Sequence, residues 1–425
     1  MISVTRDKNI SRRILPYDDS ATSGVRNAVF EILKNVYENG DTALLDYTEK
    51  FDGIRPQELE VSRNEIDNLA SKVPAEVISS LQKAYDRIYR YHSAQLRQGF
   101  RIETDNEVLI QRVIPLKRVG LYVPGGTAPY PSTVLMDAIP AKIAGVSELI
   151  MVSPPTCEGD ISPLIAAAAK LAGVTRIFRC GGAQAIAALA YGTETIPAVD
   201  KIVGPGNVYV AEAKKQVFGT VGIDLVSGPS EVVIVAEGDS DVDAIAADML
   251  AQAEHDTLSP VILITPSEEL AYSVQKALDL QLSSLPRREI AENALNSLGR
   301  IIVCDSIEEG ISIANDFAPE HLELMSDRAF DYLDLIENAG SVFLGKYSMV
   351  PIGDYIGGTY HALPTGGSAR FASPLSVDDF VKKSSFSYFT ETGLNSIKDD
   401  IAVLARAEGF EGHARSALSR ENAGN

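Results

Sequence analysis

Between about residue 119 and residue 344 the chain alternates two periodicities, and few folds tolerate that alternation. Short apolar runs occur at Val119–Val123, Glu148–Val152, Arg176–Arg179 and Lys201–Val203, then at Val232–Ala236, Val261–Thr265, Ile301–Cys304 and Ser341–Leu344. Amphipathic stretches separate them, among them Leu164–Leu171, Ala183–Ala190, Val242–Ala253, Leu270–Leu278 and Ile307–Asp316. A strand that is apolar on both faces must be covered on both. A helix after each strand supplies the cover and returns the chain to start a parallel neighbour. The pattern predicts α/β units with largely parallel sheets, in one run from about 120 to 230 and a second from about 231 to 345.

Gly and Pro clusters fall at the seams: Pro124-Gly125-Gly126 near the start of the first run, Gly228-Pro229 between the runs, and Pro364-Thr365-Gly366-Gly367 after the second. Upstream, residues 21–100 are helical in pattern, with Val25, Val29, Ile32, Leu33 and Val36 recurring at steps of three and four. Residues 1–20 are weakly patterned and read as an arm. The last fifty or so residues read as an outlying helical piece, with Ile397, Ile401, Leu404 and Ala405 on one stripe that breaks at Gly409.

Composition narrows the partners. The net charge is −20, with 58 acidic against 38 basic residues, so a polyanion or an anionic membrane surface is repelled. Three cysteines, Cys157, Cys180 and Cys304, stand far apart, which excludes a disulfide framework and a thiolate metal site. The first residues lack a signal-peptide core, and no apolar run reaches the ~18 residues of a membrane span. A soluble cytoplasmic enzyme of two to three domains is expected.

Histidine points to the chemistry. Only five occur, and four of them lie beyond residue 250, each near another polar or ionisable side chain. Gln252 and His255 stand three apart at the end of a helical stretch, which places an amide oxygen and an imidazole nitrogen on one side. Glu320 and His321 follow Pro319, a residue suited to the first position of a helix, and offer two acid–base groups at one point of the backbone. Asp354 and His361 bracket a glycine-rich turn, and His413 follows Gly412 before a short helix. Each pair alone is equally an ordinary helix end or loop. Taken together, they offer N and O ligands for a divalent ion that holds a polar substrate. Gly204-Pro205-Gly206-Asn207 follows a strand but lacks the third glycine of the dinucleotide fingerprint, since Tyr209 occupies that place. A phosphate loop and a simple turn both remain open there and at Pro124-Gly125-Gly126-Thr127.

These segments, in order, resemble the histidinol dehydrogenase family from about residue 20 to 415. The motifs are Val119-Gly120-Leu121-Tyr122-Val123-Pro124-Gly125-Gly126, Gly181-Gly182-Ala183-Gln184-Ala185-Ile186, Gly204-Pro205-Gly206-Asn207, Gly228-Pro229-Ser230-Glu231 and Gln252-Ala253-Glu254-His255. Pro319-Glu320-His321-Leu322, Gly353-Asp354-Tyr355, His361-Ala362-Leu363-Pro364-Thr365 and Ala407-Glu408-Gly409 complete the set. The resemblance implies two incomplete Rossmann-like (aldehyde-dehydrogenase-like) domains with small N- and C-terminal helical extensions. Their bounds would be an arm over 1–20, a catalytic domain of 21–119 plus 231–374, a cofactor-side domain over 120–230, and a dimer-swapped helical piece over 375–425.

The resemblance also assigns roles. Gln252, His255, Asp354 and His413 would hold one zinc ion, and Glu320 and His321 would be the acid–base pair. Ser230, His361 and Glu408 would hold L-histidinol together with His321 and the metal ligands. Tyr122, Gln184 and Asn207 would contact NAD. The implied reaction takes L-histidinol through L-histidinal to L-histidine with two NAD⁺, in a homodimer where Glu408 and His413 complete the neighbour's site. Ser227 and Thr257 depart from the family's usual alanine and proline, and neither position supplies a catalytic group. Relatives with the same metal set oxidise other alcohols, such as a sulfonated propanediol, and Glu408 and His361 favour histidinol. A metal hydrolase or a non-catalytic metal binder are the readings from other classes.

Overall fold

The computed structural model describes residues 2–8, 19–125, 128–226 and 228–422. Most of the expected arm, Gly126 and Thr127 of the first glycine cluster, and Ser227 lie outside the described residues. The described chain forms two compact units, Met1–Gln95 with Leu116–Phe380, and Leu96–Pro115 with Val381–Asn425.

The first unit holds two parallel sheets. One has the order β6 (Arg176–Arg179), β5 (Glu148–Ser153), β4 (Arg118–Tyr122), β7 (Lys201–Val203) and β8 (Gly222–Ile223). The other runs β1 (Ser3–Thr5), β11 (Arg300–Val303), β10 (Val261–Thr265), β9 (Val232–Ala236), β12 (His321–Met325) and β13 (Ser341–Leu344). Every neighbouring pair in both sheets is parallel. The apolar runs became strands because each residue has a buried destination. Val119, Leu121, Leu149 and Met151 face one core, while Tyr122, Ile150, Val152 and Phe178 face the core on the other side of the same sheet. The second sheet sorts in the same way, with Val232, Ile234 and Leu263 on one face and Val233, Val235 and Ile262 on the other. Each fully buried aliphatic side chain contributes roughly 1.5–3 kcal/mol, so a slip by one residue would be opposed along the whole strand.

In both sheets the chain winds outward and then jumps back, so each has a switch point: between β4 and β7 in one, and between β9 and β12 in the other. Open sheets of this kind form crevices at such points.

Strand β12 corrects the reading of Pro319 as a helix start. The Ile307–Phe317 helix ends at Ala318, which adopts φ 56°, and Pro319 follows that end. Proline is common just after a helix C-cap because it cannot continue the helix. His321 therefore opens a strand, with Glu320 immediately before it.

The second unit departs more from expectation. It is not purely helical: β14 (Val381–Phe389) pairs antiparallel with β3 (Glu107–Pro115), which also pairs with β2 (Phe100–Glu103). Nine residue pairs join β14 to β3, which draws residues 96–115 into one unit with 381–425. The Glu391–Ala407 helix ends before Gly409 (φ 84°), and His413 lies within the short Glu411–Leu418 helix rather than ahead of it.

One buried group makes the first unit's stability depend on pH. Asp137 is fully buried on the Pro131–Ala144 helix, where its Oδ1 accepts the Tyr360 hydroxyl and its Oδ2 has no partner. Burial pushes its pKa from the usual 3.8 up to about 8, against the lowering effect of the Tyr360 hydrogen bond. A raised folded-state pKa gives a contribution that is full below the unfolded value and is lost as pH rises through the folded one. Asp137→Asn keeps an acceptor for Tyr360 and cannot ionise. Urea titrations at stepped pH should show the wild type losing stability relative to Asp137→Asn between about pH 4 and about pH 8. Parallel pH profiles for the two proteins would contradict this.

Candidate active site

A pocket of about 490 Å³ lies in the first unit, lined by residues from both switch points. Pro205 and Gly206 come from the carboxyl end of β7. Ser230, Glu320 and His321 come from the amino ends of β9 and β12. Gln252, His255, Asp354 and His361 complete its polar wall.

The catalytic candidates owe their position to register. His321 pairs with Val232 across the β12–β9 ladder, which sets Glu320 beside Glu231. The Glu231 N–H donates to Glu320 Oε2 at 2.9 Å, and the Glu320 N–H donates to Glu231 Oε1 at 3.2 Å. Ser230 also gives Glu320 a side-chain hydrogen bond. Burial nonetheless raises the Glu320 pKa well above the carboxylate range, with the Glu231 and Asp354 charges adding to the shift. His321 Nδ1 stands 3.0 Å from the Glu231 carbonyl oxygen, which only accepts. Nδ1 therefore carries the proton and Nε2 keeps its lone pair. Burial lowers the His321 pKa to about 4, so the ring is neutral near pH 7. It lies 3.6 Å from Glu320 Oε2.

His361 is gripped at both nitrogens. Nδ1 stands 3.1 Å from the Asp354 carbonyl and Nε2 stands 3.2 Å from Thr133 Oγ1. The carbonyl assigns the proton to Nδ1, so Thr133 donates to Nε2. A substrate group that takes Nε2 has to replace that hydroxyl.

Gln252 lies in the last turn of the Val242–Ala253 helix, and His255 follows in a turn closed by its N–H on the Gln252 carbonyl at 3.2 Å. Gln252 is buried, yet its Nε2 has no partner. Rotating the amide about its last bond would present the oxygen at that spot, as a cation requires. Burial raises the Asp354 pKa to about 6 and desolvation lowers that of His255. A nearby positive charge would relieve the Asp354 burial, and neutral imidazole is the ligand form. These three donors fit a divalent ion of mixed N and O preference. Among the described residues no group of three His, Cys, Asp or Glu side chains is placed to hold a metal. One of the three donors lining the pocket is an amide, and the fourth expected ligand, His413, belongs to the second unit with Glu408. In that unit His413 lines a separate groove with Ile401 and Ser416.

The three cofactor candidates stand at carboxyl ends of the five-stranded sheet, outside the lining of the pocket. Tyr122 closes β4 with its buried hydroxyl accepting the Gly182 N–H at 3.1 Å. Gln184 is buried in the first turn of the Gly182–Tyr191 helix. Asn207 is exposed and caps the Val208–Val217 helix by accepting the N–H groups of Tyr209 and Val210.

The whole chain matches known proteins in keeping with this geometry. Residues 16–421 match the family model described as Histidinol dehydrogenase. The chain belongs to the histidinol dehydrogenase family. A histidinol dehydrogenase of Clostridium acetobutylicum is 51% identical over 390 residues, covering 92% of this chain and 90% of the relative. One from Geobacter sulfurreducens is 48% identical over 98% of each chain. The crystal structure of histidinol dehydrogenase from Elizabethkingia anophelis superposes with a TM-score of 0.90 at 40% identity, covering 97% of this chain and 94% of that one. Membership makes the chain an oxidoreductase, and the family's work is histidinol oxidation in histidine biosynthesis.

Sequence reasoning missed the groups that hold the glycine loop after β7. The Lys214 ammonium donates to the Gly204 carbonyl at 2.9 Å and pairs with Asp224, whose Oδ2 accepts the Gly204 N–H at 2.8 Å. These residues stand ten and twenty positions from Gly204, and no periodicity joins them. Gly204 itself has φ +118°, and a Cβ there would lie 2.1 Å from the Tyr122 carbonyl oxygen. Gly204→Ala should therefore lose on the order of 1–3 kcal/mol or more of stability, read as a lowered unfolding midpoint. A variant that melts with the wild type would show that the loop yields freely.

Proposed function

We propose that the chain oxidises L-histidinol to L-histidine through L-histidinal, reducing two NAD⁺ in turn, as a cytoplasmic biosynthetic enzyme. What carries the reading is the neutral His321 beside the buried Glu320 on a pocket that also holds Gln252, His255 and Asp354, in a chain of this family. Gln252, His255 and Asp354, with His413, would hold zinc, which supplies coordination positions that orient the substrate's imidazole and amino nitrogens. NAD⁺ supplies the hydride acceptor, with Asn207, Tyr122 and Gln184 on its side of the site.

His321 Nε2 takes the proton of the substrate hydroxyl as the carbinol hydrogen leaves as hydride. The Nδ1–H bond to the Glu231 carbonyl aligns the ring and stabilises the imidazolium that forms. Glu320 then takes a proton from water as the water oxygen adds to the aldehyde carbon, and the protonated His321 returns its proton to the former carbonyl oxygen, giving the gem-diol. His321, having released its proton, accepts the hydrate's hydroxyl proton for the second oxidation. Burial raises the Glu320 pKa, which makes its carboxylate a stronger base than an exposed one. Ser230 and His361 hold the substrate's polar groups.

Replacing His321 by Gln should slow both oxidations by ~10²–10⁴, whereas Glu320→Gln should spare the alcohol step relative to the aldehyde step. Stopped-flow NADH absorbance started separately from histidinol and from histidinal measures both. Equal slowing of the two steps by Glu320→Gln would refute the division of labour.

Glu408 and His413 we assign to the neighbouring subunit's site. The second unit leaves Val403, Leu404 and Phe410 exposed, an apolar set suited to a partner. Inactive His321→Gln and His413→Ala chains, refolded together, should recover activity, because a mixed dimer then contains one site with neither defect. Failure to recover activity in a verified mixed dimer would place both residues in their own chain's site.

A further inference from the structure

We propose that Glu231 is the positioning residue of the acid–base pair, its side chain holding Glu320 and its main-chain carbonyl holding His321. The inference rests on the proposed role of Glu320 in water activation. Glu231 does not line the pocket and is 2% exposed, so it does not reach substrate. Its Oε1 accepts two backbone N–H groups, from Glu320 at 3.2 Å and from Gly366 at 3.0 Å. It thereby ties the start of β12 to the Pro364-Thr365-Gly366-Gly367 turn. Thr365 in turn accepts the Gly228 N–H at 2.6 Å, closing the turn onto the segment that carries Ser230.

The reciprocal arrangement is specific to an acid or amide at both places. Glu320 Oε2 accepts the Glu231 N–H, so the orientation of the Glu320 carboxyl is set by residue 231, and that of its main chain by the Glu231 carboxyl. An apolar residue at 231 would fill the volume and leave the Glu320 and Gly366 N–H groups without their acceptor. Packing alone gives no reason to bury a carboxyl there.

The two tethers come from different parts of one residue, and this makes the role separable. The carbonyl that accepts His321 N–H at 3.3 Å and Nδ1 at 3.0 Å is present whatever the side chain. Losing the carboxyl should therefore disturb Glu320 and leave His321 in place.

Single-turnover NADH formation from histidinol and from histidinal, with zinc-loaded enzyme, tests this. Glu231→Ala should lower the aldehyde step by about 10- to 100-fold, the range for losing hydrogen bonds to a charged group, and leave the alcohol step within about 3-fold. Histidinal KM should not change, because Glu231 does not touch substrate. Glu231→Gln, whose amide oxygen still accepts both N–H groups, should restore the aldehyde step to within about 5-fold of wild type. If Glu231→Ala fails to fold, Glu231→Asp, which withdraws the oxygens by one methylene, should give the same selective loss. A pattern of loss across the two steps that differs from that of Glu320→Gln, a rise in KM alone, or failure of the Gln variant to rescue would overturn the proposal. Glu320→Gln measured alongside separates two failures. If it slows both steps alike, the water-activating role of Glu320 is wrong, and the positioning role then stands only if Glu231→Ala reproduces that same pattern.

Discussion

The parallel register of β12 on β9 is the constraint on which the site depends. It places His321 opposite Val232, and so sets the residue before each strand, Glu320 and Glu231, side by side at the sheet's amino edge. Residues at that edge have lost the regular ladder partners of the strand interior. Their N–H groups need acceptors, and each carboxyl supplies one to the other. The arrangement of Glu320 and His321 thus follows from satisfying backbone at a strand terminus.

The first unit takes several further acids into its interior, and each is answered locally. Glu323, two residues beyond His321, is fully buried, accepts the Val350 N–H at 2.9 Å and lies close to Asp248. Desolvation raises both carboxyls, and the nearby Asp248 charge raises Glu323 further. Asp248 lies one helical turn before Gln252, so this contact joins the Val242–Ala253 helix to the strand that carries His321. Lys214 and Asp224 do comparable work under the Gly204 loop, as a nearly fully buried pair that holds that glycine's carbonyl and N–H. Breaking one partner of such a pair strands the other in a medium that solvates it poorly.

Much of this was legible in the chain because it rests on local pattern. The eight apolar runs read as strands are all strands, since burial on two faces leaves an unmistakable run of Val, Ile and Leu. The polar residues read as a site were legible for a different reason, an ordered set of short motifs shared with a family, and Ser230, Gln252, His255, Glu320, His321, Asp354 and His361 do line one pocket. Strand β12 was missed because Glu323 interrupts its apolar run, and the groups that answer its burial, such as the Val350 N–H, come from elsewhere in the chain. The β3–β14 pairing was missed because its residues are partly exposed and carry no strong alternation, so its partner more than 260 residues away decides the structure. His92, the one early histidine, proved to be a buried core residue bonded to Gln95 Oε1 at 2.8 Å.

The sequence by itself determined the layered parallel α/β architecture, because strand and helix periods are properties of ten or so neighbouring residues. It also singled out the side chains proposed for proton transfer, because an ordered set of motifs marks them even though each motif alone reads equally as a helix end or a loop. Only the tertiary structure decided which nitrogen of His321 keeps its lone pair and that Glu231 stands behind Glu320 and His321. It likewise decided that Glu320 is buried, which pushes its carboxyl up from the ordinary glutamate value. Tautomer, pKa and orientation depend on what lies within a few ångströms, and those neighbours come from strands that the chain joins only after a long excursion.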